Sequence, residues 1–324
     1  MVIDLKNLGI EGTYTLDTLK QIPDSAFPVL NGSSQLMKEN VERAQLFLGD
    51  IVTHGSYGDI RSAARVKNGK SEAVLVKSPR LTEMNLKMEA IVQNISRACL
   101  EKQNIPWAIP QIYDIYKYKG RMSFSMEKIK GQYLHEWFLK TKEPDLDFYK
   151  IMIQLCIILS ILHNCLQLDH RDLKSDNLFI RHEACSIQFK HESTVYIIAY
   201  TFQVALLDFG FACAGDHIGL GTEVLPVLDP CPKEGRDLFH FLISVLSIDT
   251  IRKRLSVKTL EQIDLWLGNK YASLAKRFGN TTETWVHLVT SKAEFRSETS
   301  SPQKVLHDIP VSYTHLTLPT KRIV

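Results

Sequence analysis

The order of apolar and polar residues divides the chain into a part with strand spacing followed by a part with helix spacing. Segments Gln45–Thr53, Asp59–Val66 and Glu72–Lys77 are separated by turns that contain glycine, which predicts an antiparallel meander. Apolar residues then recur every three or four positions, and this period predicts a helix over residues 83–100. Two further strands are predicted, Gln111–Tyr118 and Arg121–Met126.

The second part of the chain has the longer apolar faces that are typical of buried helices. A broad apolar face predicts a buried helix over residues 146–165, and further helices are predicted over Arg236–Ile248 and Thr259–Leu267. The stretch Glu127–Gly131 lies at the junction of the two parts. We therefore expect an α+β fold with a small antiparallel sheet first and helices second, with a cleft between them that could hold a ligand.

Composition narrows the class of protein. The chain has 324 residues, of which 44% are hydrophobic and 23% are charged, and a net charge of +3. These values are typical of a globular protein, and the charge gives no reason to expect nucleic acid or a membrane as a partner. The start of the chain lacks a signal-peptide pattern, and the apolar run Ile151–Leu162 is too short to span a bilayer.

The six cysteines have neither the spacing of a zinc site nor that of a redox dithiol. Most of them lie in apolar stretches. We therefore expect buried free thiols and an intracellular location, cytoplasmic or nuclear.

Four short segments carry residue types that suit phosphate chemistry. In the first, Gly55 and Gly58 flank Ser56 in a turn between two strands, where backbone amides could approach phosphate oxygens. In the second, Lys77 ends an apolar strand, and Glu89 on the next helix could hold it through an ion pair. Each of these features has an ordinary alternative. The glycines could form a plain hairpin turn, Lys77 could be a lysine at a strand edge, and Glu89 could lie on a solvated helix face.

The third segment runs from His170 to Asn177 and follows the long buried helix. Asp172 could accept a hydroxyl proton, Lys174 could neutralise a phosphoryl group, and the amide oxygen of Asn177 could bind a metal ion. The alternative is a polar loop that caps the helix. The fourth segment, Val204–Gly210, delivers Asp208 at the end of a strand, where a hard oxygen ligand suits Mg²⁺. Its alternative is a turn that contains an aspartate.

Together, in this order, these segments resemble the signature set of protein kinases over about residues 45–248, and Met126–Ile129 resembles the hinge of that family. The resemblance implies a bilobal kinase fold with an N-terminal extension, 1–44, and a kinase domain, 45–310. Within that domain the N-lobe would cover 45–128 and the C-lobe 129–310, with an insertion at 181–203. Residues 311–324 resemble translated sequencing adapter and are predicted to be non-native.

The resemblance also implies a role for each site residue. Lys77, Glu89, Asp172 and Lys174 would be catalytic, Asn177 and Asp208 would bind Mg²⁺, and Asp237 would anchor the catalytic loop. ATP would contact a set of residues from the glycine turn, the lysine strand, the hinge and the two metal-binding positions: Thr53, Gly55, Ser56, Gly58, Ile60, Val76, Lys77, Met126, Glu127, Ile129, Asn177 and Asp208.

Lys174 resembles the serine/threonine branch, so the expected activity is transfer of the γ-phosphate of ATP to serine or threonine of a protein substrate. Two departures limit the resemblance: Thr53 replaces the first glycine, and Val224–Pro232 stands where the family usually has Ala-Pro-Glu. The alternatives are a pseudokinase that serves as a nucleotide-binding scaffold and a small-molecule kinase of the same fold.

Overall fold

The computed structural model of the chain describes residues 2–55, 58–80, 85–191, 194–215, 218–219, 232–269 and 300–309. Three predicted features lie outside these ranges: Ser56, the segment Val224–Pro232 apart from Pro232 itself, and the tail 311–324. The expectations for them therefore stay predictions.

The first part of the described chain is a sheet that closes on itself in the order β1-β2-β3-β4-β5-β7-β6. Its strands are β1 (Val29–Leu30), β2 (Gln35–Lys38), β3 (Val41–His54), β4 (Gly58–Lys67), β5 (Lys70–Pro79), β6 (Ile112–Tyr118) and β7 (Arg121–Glu127). Neighbouring strands are antiparallel except where Val29 of β1 meets Lys117 of β6 in parallel. The predicted meander and the predicted pair of later strands are confirmed.

One helix accompanies this sheet, α1 (Lys87–Glu101), and the rest of the described chain is mostly helical. The later helices are α2 (Leu134–Lys140), α3 (Pro144–Leu166), α4 (Arg236–Ser247), α5 (Asp249–Arg252), α6 (Val257–Trp266) and α7 (Pro302–Asp308). One short strand, β8 (Gly131–Tyr133), directly precedes α2. Seven more lie between α3 and α4 in the described chain: β9 (Leu168–Asp169), β10 (Leu178–Arg181), β11 (Cys185–His191), β12 (Thr194–Tyr200), β13 (Gln203–Leu206), β14 (Cys213–Ala214) and β15 (Ile218–Gly219).

Helix α3 is the centre of the larger apolar core. It has 23 residues, and by length and composition alone it could cross a membrane, but 72% of its most apolar 18-residue window is buried inside the protein. The run Ile151–Leu162 is only the middle of this helix, which extends beyond the run at both ends. Because most of its apolar window is buried inside the protein, α3 has the burial that is typical of a core helix.

The N-terminal extension packs on the outer side of α1. Leu5 and Leu19 have no exposed surface and belong to the same apolar cluster as the helix. Asn7 Nδ2 donates to Asn94 Oδ1 at 2.8 Å, and the ammonium of Lys87 lies 2.7 Å from Asp24. The extension therefore contributes directly to the packing around α1.

The insertion at 181–203 forms a separate antiparallel pair, β11 with β12, in the register Cys185 to Tyr200. This agrees with the extra hairpin that its strand-like pattern predicts. Neither strand joins the larger sheet in the described part of the chain.

The expectation of free thiols throughout was wrong. Cys99 at the end of α1 and Cys165 at the end of α3 form a disulfide across a separation of 66 residues. Cys213 is also disulfide-bonded, whereas Cys156 and Cys185 are free. Since disulfides are rare in reducing compartments, the expected intracellular location loses the support that free thiols would have given.

Removing the Cys99–Cys165 bond should destabilise the protein. We expect the Cys99→Ala/Cys165→Ala double variant to lose about 2–4 kcal/mol of unfolding free energy under non-reducing conditions, because the bond restricts a long loop in the unfolded chain. Denaturant unfolding measures this, with the same measurement on Cys156→Ala, whose thiol is free, to report the cost of losing a buried sulfur. Non-reducing peptide mapping that recovers alkylated Cys99 and Cys165 would contradict the bond.

Candidate active site

The centre of the site is a lysine between two carboxylates. Strand β5 delivers Lys77, the first turn of α1 delivers Glu89, and the loop after β13 delivers Asp208. The ammonium of Lys77 lies 2.6 Å from Glu89 Oε1 and 2.8 Å from Asp208 Oδ1. The structure therefore brings three predicted residues, from positions up to 131 residues apart, into one ion-paired group.

The charges of this group depend on one another. Burial alone would lower the pKa of Lys77, but Asp208 and Glu89 outweigh it and raise that pKa. Partial desolvation likewise opposes the charge of Asp208, although part of its side chain stays exposed, and the ammonium of Lys77 outweighs it, so the pKa of Asp208 is lowered. Burial raises the pKa of Glu89 to about 7, with Asp208 adding to the shift and Lys77 opposing it. Lys77 and Asp208 are thus held charged.

A second group lies in the loop between β9 and β10. Asn177 donates through Nδ2 to the backbone oxygen of Asp172 at 2.8 Å and to its Oδ2 at 2.9 Å. Lys174 Nζ is 3.5 Å from the same Oδ2. Asp172, Lys174 and Asn177 therefore converge as predicted, and the charge of Asp172 acts on Asp208 and works against its ionisation.

Buried hydrogen bonds hold this loop in place. Asp237, in the first turn of α4, accepts from the backbone N–H groups of His170 at 2.7 Å and Arg171 at 2.8 Å, so the predicted anchor is confirmed. Arg171 has a left-handed backbone with φ of 66°. Leu207 N donates to Asn177 O at 2.9 Å, which joins this loop to the segment that carries Asp208.

The glycine turn lies against Lys77. Gly55 N donates to Gly58 O at 2.9 Å across the turn. A Cβ on Gly58 would lie 3.0 Å from Ser78 O and 3.2 Å from Lys77 Cγ, so a larger residue there would press on the lysine strand. Thr53, which holds the first glycine position, pairs with Ile60 across the turn.

The strands beside Lys77 form one wall of the site, and they correct one predicted contact. Ile60 pairs directly with Lys77, and Leu75 pairs with Met126, so these side chains share a face of the sheet. Val76 faces the other way and is fully buried in the small cluster behind the sheet. Val76 was therefore wrongly assigned to the nucleotide, because successive strand residues alternate in direction, and Leu75 has the position that the sequence reading missed.

The predicted hinge carries an ion pair that no local pattern indicates. Glu127 receives two bonds from Arg181 at the end of β10, of 2.5 and 3.1 Å, and Arg97 of α1 lies 3.9 Å away. Burial would raise the pKa of Glu127, but Arg181 outweighs it and lowers that pKa. Ile129, two residues further on, is half-buried. The hinge is thus tied to strand β10 through the side chain of Glu127.

This pair should contribute measurably to stability. A double-mutant cycle with Glu127→Gln and Arg181→Gln should give a coupling of about 1–3 kcal/mol, because the bonds are bidentate and largely buried. The matched control is the solvent-accessible pair Asp249 and Arg252, whose coupling should be clearly smaller than that of the hinge pair. Equal coupling for the two pairs in denaturant unfolding would argue against a structural role for the hinge pair.

A lysine held by two carboxylates, a glycine turn above it and an Asp-Lys-Asn loop beside it are the parts of a phosphotransferase site. The model of the protein kinase domain family matches residues 48–222. The chain therefore belongs to the protein kinase family, as its motifs predict, and kinase-type phosphotransfer is the chemistry that this membership assigns to it.

Proposed function

We propose that this chain is an active protein kinase that uses ATP and Mg²⁺ to phosphorylate serine or threonine hydroxyls of protein substrates. The observation that carries the proposal is the position of the Lys77 ammonium between Glu89 and Asp208, 2.6 and 2.8 Å away. A lysine fixed in this way presents a positive charge at a defined point, which suits the α- and β-phosphates of a nucleotide.

The residues fit a magnesium nucleotide. Asp208 keeps 43% of its side chain exposed although Oδ1 contacts Lys77, so a carboxylate oxygen is accessible to a hard cation. Asn177 uses Nδ2 for both bonds to Asp172, and its amide oxygen is the atom that suits a metal. Asp208 and Asn177 would hold Mg²⁺, which would supply positive charge to the phosphates during transfer.

Asp172 is the group that would act on the substrate hydroxyl. It would orient the hydroxyl and accept its proton as the hydroxyl oxygen bonds to the γ-phosphorus and the bond to the ADP oxygen breaks. Lys174, 3.5 Å from Asp172, would neutralise charge on the transferred group. The anchor from Asp237 and the bonds from Asn177 would keep Asp172 in place during the reaction.

The Ser/Thr assignment rests on Lys174. A lysine two residues after the predicted catalytic aspartate resembles the serine/threonine branch of the family, and its ammonium occupies the space beside Asp172. We therefore expect phosphate on serine and threonine and little on tyrosine.

The test is phosphosite mapping after incubation of a mixed protein substrate with Mg-ATP. The intact protein should produce new phosphoserine and phosphothreonine, Asp208→Ala should produce none, and Glu183→Gln, an exposed carboxylate outside the site, should match the intact protein. ATP binding without any new phosphosite would instead indicate a pseudokinase. Transfer to sugars, choline or aminoglycosides without protein phosphorylation would indicate a small-molecule kinase.

A further inference from the structure

A second concave site lies on the opposite face of the sheet from Lys77. It is a cavity of about 420 Å³ lined by residues of β3, β4, β5 and the hairpin between β6 and β7. Arg61, which lines it, pairs with Val76, and Val76 is buried in the cluster on that face. Because paired residues share a face, the cavity is separated from the proposed nucleotide site by the sheet itself.

The lining of this cavity is strongly cationic. Arg61, Arg80, Lys119 and Arg121 line it, and Asp59 is the carboxylate among the lining residues. The cavity is thus lined by four positive groups and one negative group. It lies at the end of the sheet where the β3–β4 and β6–β7 hairpins turn. Such an excess within one cavity favours an anionic ligand over a neutral one.

Hydrogen bonds to backbone oxygens hold all three lining guanidinium groups in place, that of Arg80 through Gly55 O at 3.3 Å. Arg121 donates to Pro79 O at 3.1 Å and to Arg80 O at 3.4 Å, and Arg61 donates to Gly49 O at 3.5 Å. Carbonyl oxygens orient a guanidinium without neutralising its charge, and its remaining N–H groups can bind an oxyanion. Arg80 lies 3.6 Å from Asp59, so the one carboxylate is already engaged.

A buried hydroxyl among the lining residues lacks a partner. Ser123 is 1% exposed, and its Oγ makes no hydrogen bond within the described structure. Its neighbour across the strands is Tyr116, which is fully buried and whose hydroxyl also makes none there. Buried hydroxyls are nearly always bonded in folded proteins, so the unbonded hydroxyl of Ser123 among the lining residues indicates that a polar group belongs beside it.

We propose that this cavity binds a phosphate group, carried on a phosphorylated serine or threonine side chain. The arginines supply paired N–H donors that match phosphate oxygens, and the unbonded hydroxyl of Ser123 supplies a further donor among the lining residues. The cavity has room for more than a single oxyanion, which suits a phosphorylated residue with its flanking backbone. The proposal does not depend on the proposed catalysis, because the cavity and the site of Lys77 are on different faces.

The test is isothermal titration of the full chain with a phosphoserine peptide at physiological salt. The same peptide with unmodified serine and inorganic phosphate are titrated in parallel. The Arg61→Gln/Arg121→Gln variant removes two cavity charges, and Lys67→Gln/Lys70→Gln removes two exposed charges from the same pair of strands outside the cavity. Ser123→Ala removes the buried hydroxyl without changing the charge.

We expect saturable binding of the phosphoserine peptide and none of the unmodified peptide. The arginine variant should bind at least about tenfold more weakly, and the lysine variant should match the intact protein, because charge-assisted bonds at the cavity and not overall charge carry the affinity. Ser123→Ala should weaken binding about threefold or more. Equal binding by both double variants, absence of saturable binding, or binding of inorganic phosphate alone would overturn the assignment to a phosphorylated side chain.

Discussion

Replacing Lys77 by methionine should lower the phosphotransfer activity by about 100-fold or more. Methionine fills similar space but has no charge, so the phosphates would lose their fixed cation. Glu89 and Asp208 would also face each other without the ammonium that now lies 2.6 and 2.8 Å from them. The quantity to measure is kcat/KM for Mg-ATP with a protein substrate.

The matched control for this variant is Lys70→Met. Lys70 begins the same strand, is exposed and lies outside the site, so its loss should leave kcat/KM within about twofold of the intact protein. Lys77→Arg keeps the charge and separates a catalytic loss from a loss of folding. If the Lys77→Met protein had the unfolding free energy of the intact protein and kept kcat/KM within about threefold, Lys77 would have no place in the proposed mechanism.

Asp172→Asn should lower kcat by about 10²–10⁴-fold and leave ATP affinity nearly unchanged. The amide cannot accept the hydroxyl proton, yet its oxygen can still accept the bond that Asn177 Nδ2 now donates at 2.9 Å. The shape of the loop should therefore persist while the base is lost. Single-turnover phosphorylation measures the chemical step, and nucleotide titration measures the affinity.

A nearby acid provides the comparison for Asp172. Asp176 is four residues further along the same loop and 60% exposed, and Asp176→Asn should keep kcat within about tenfold. If Asp172→Asn and Asp176→Asn lowered kcat equally, the effect would come from the charge of the loop rather than from a base. The assignment of Asp172 would then fail.

Much of the fold could be predicted because the spacing of apolar residues reports local structure. The strands β3, β4 and β5 and the helices α1 and α3 follow periods of two and three to four residues that are visible in the sequence. The disulfide between Cys99 and Cys165 could not be predicted in this way. It depends on how the ends of two helices meet across 66 residues, and neither helix pattern carries that information.

The site residues likewise fall into those that a local motif identifies and those that depend on contacts between distant parts of the chain. Lys77, Asp172 and Asp208 lie in short motifs whose residue types and order suffice to identify them, and the structure places them near one another. Leu75 was missed because a one-residue error of register reverses the face of a strand residue. The bonds between Glu127 and Arg181 join positions 54 residues apart, and neither residue has a neighbour in sequence that indicates the pairing.

The most direct test of the nucleotide site is a crystal structure with Mg²⁺ and a non-hydrolysable ATP analogue. The account predicts phosphate oxygens within hydrogen-bond distance of Lys77 Nζ, Mg²⁺ bound by Asp208 and Asn177, and adenine against Leu75 and the hinge at Glu127. A nucleotide that binds elsewhere, or that lies in this cleft without contacting Lys77 and Asp208, would contradict it.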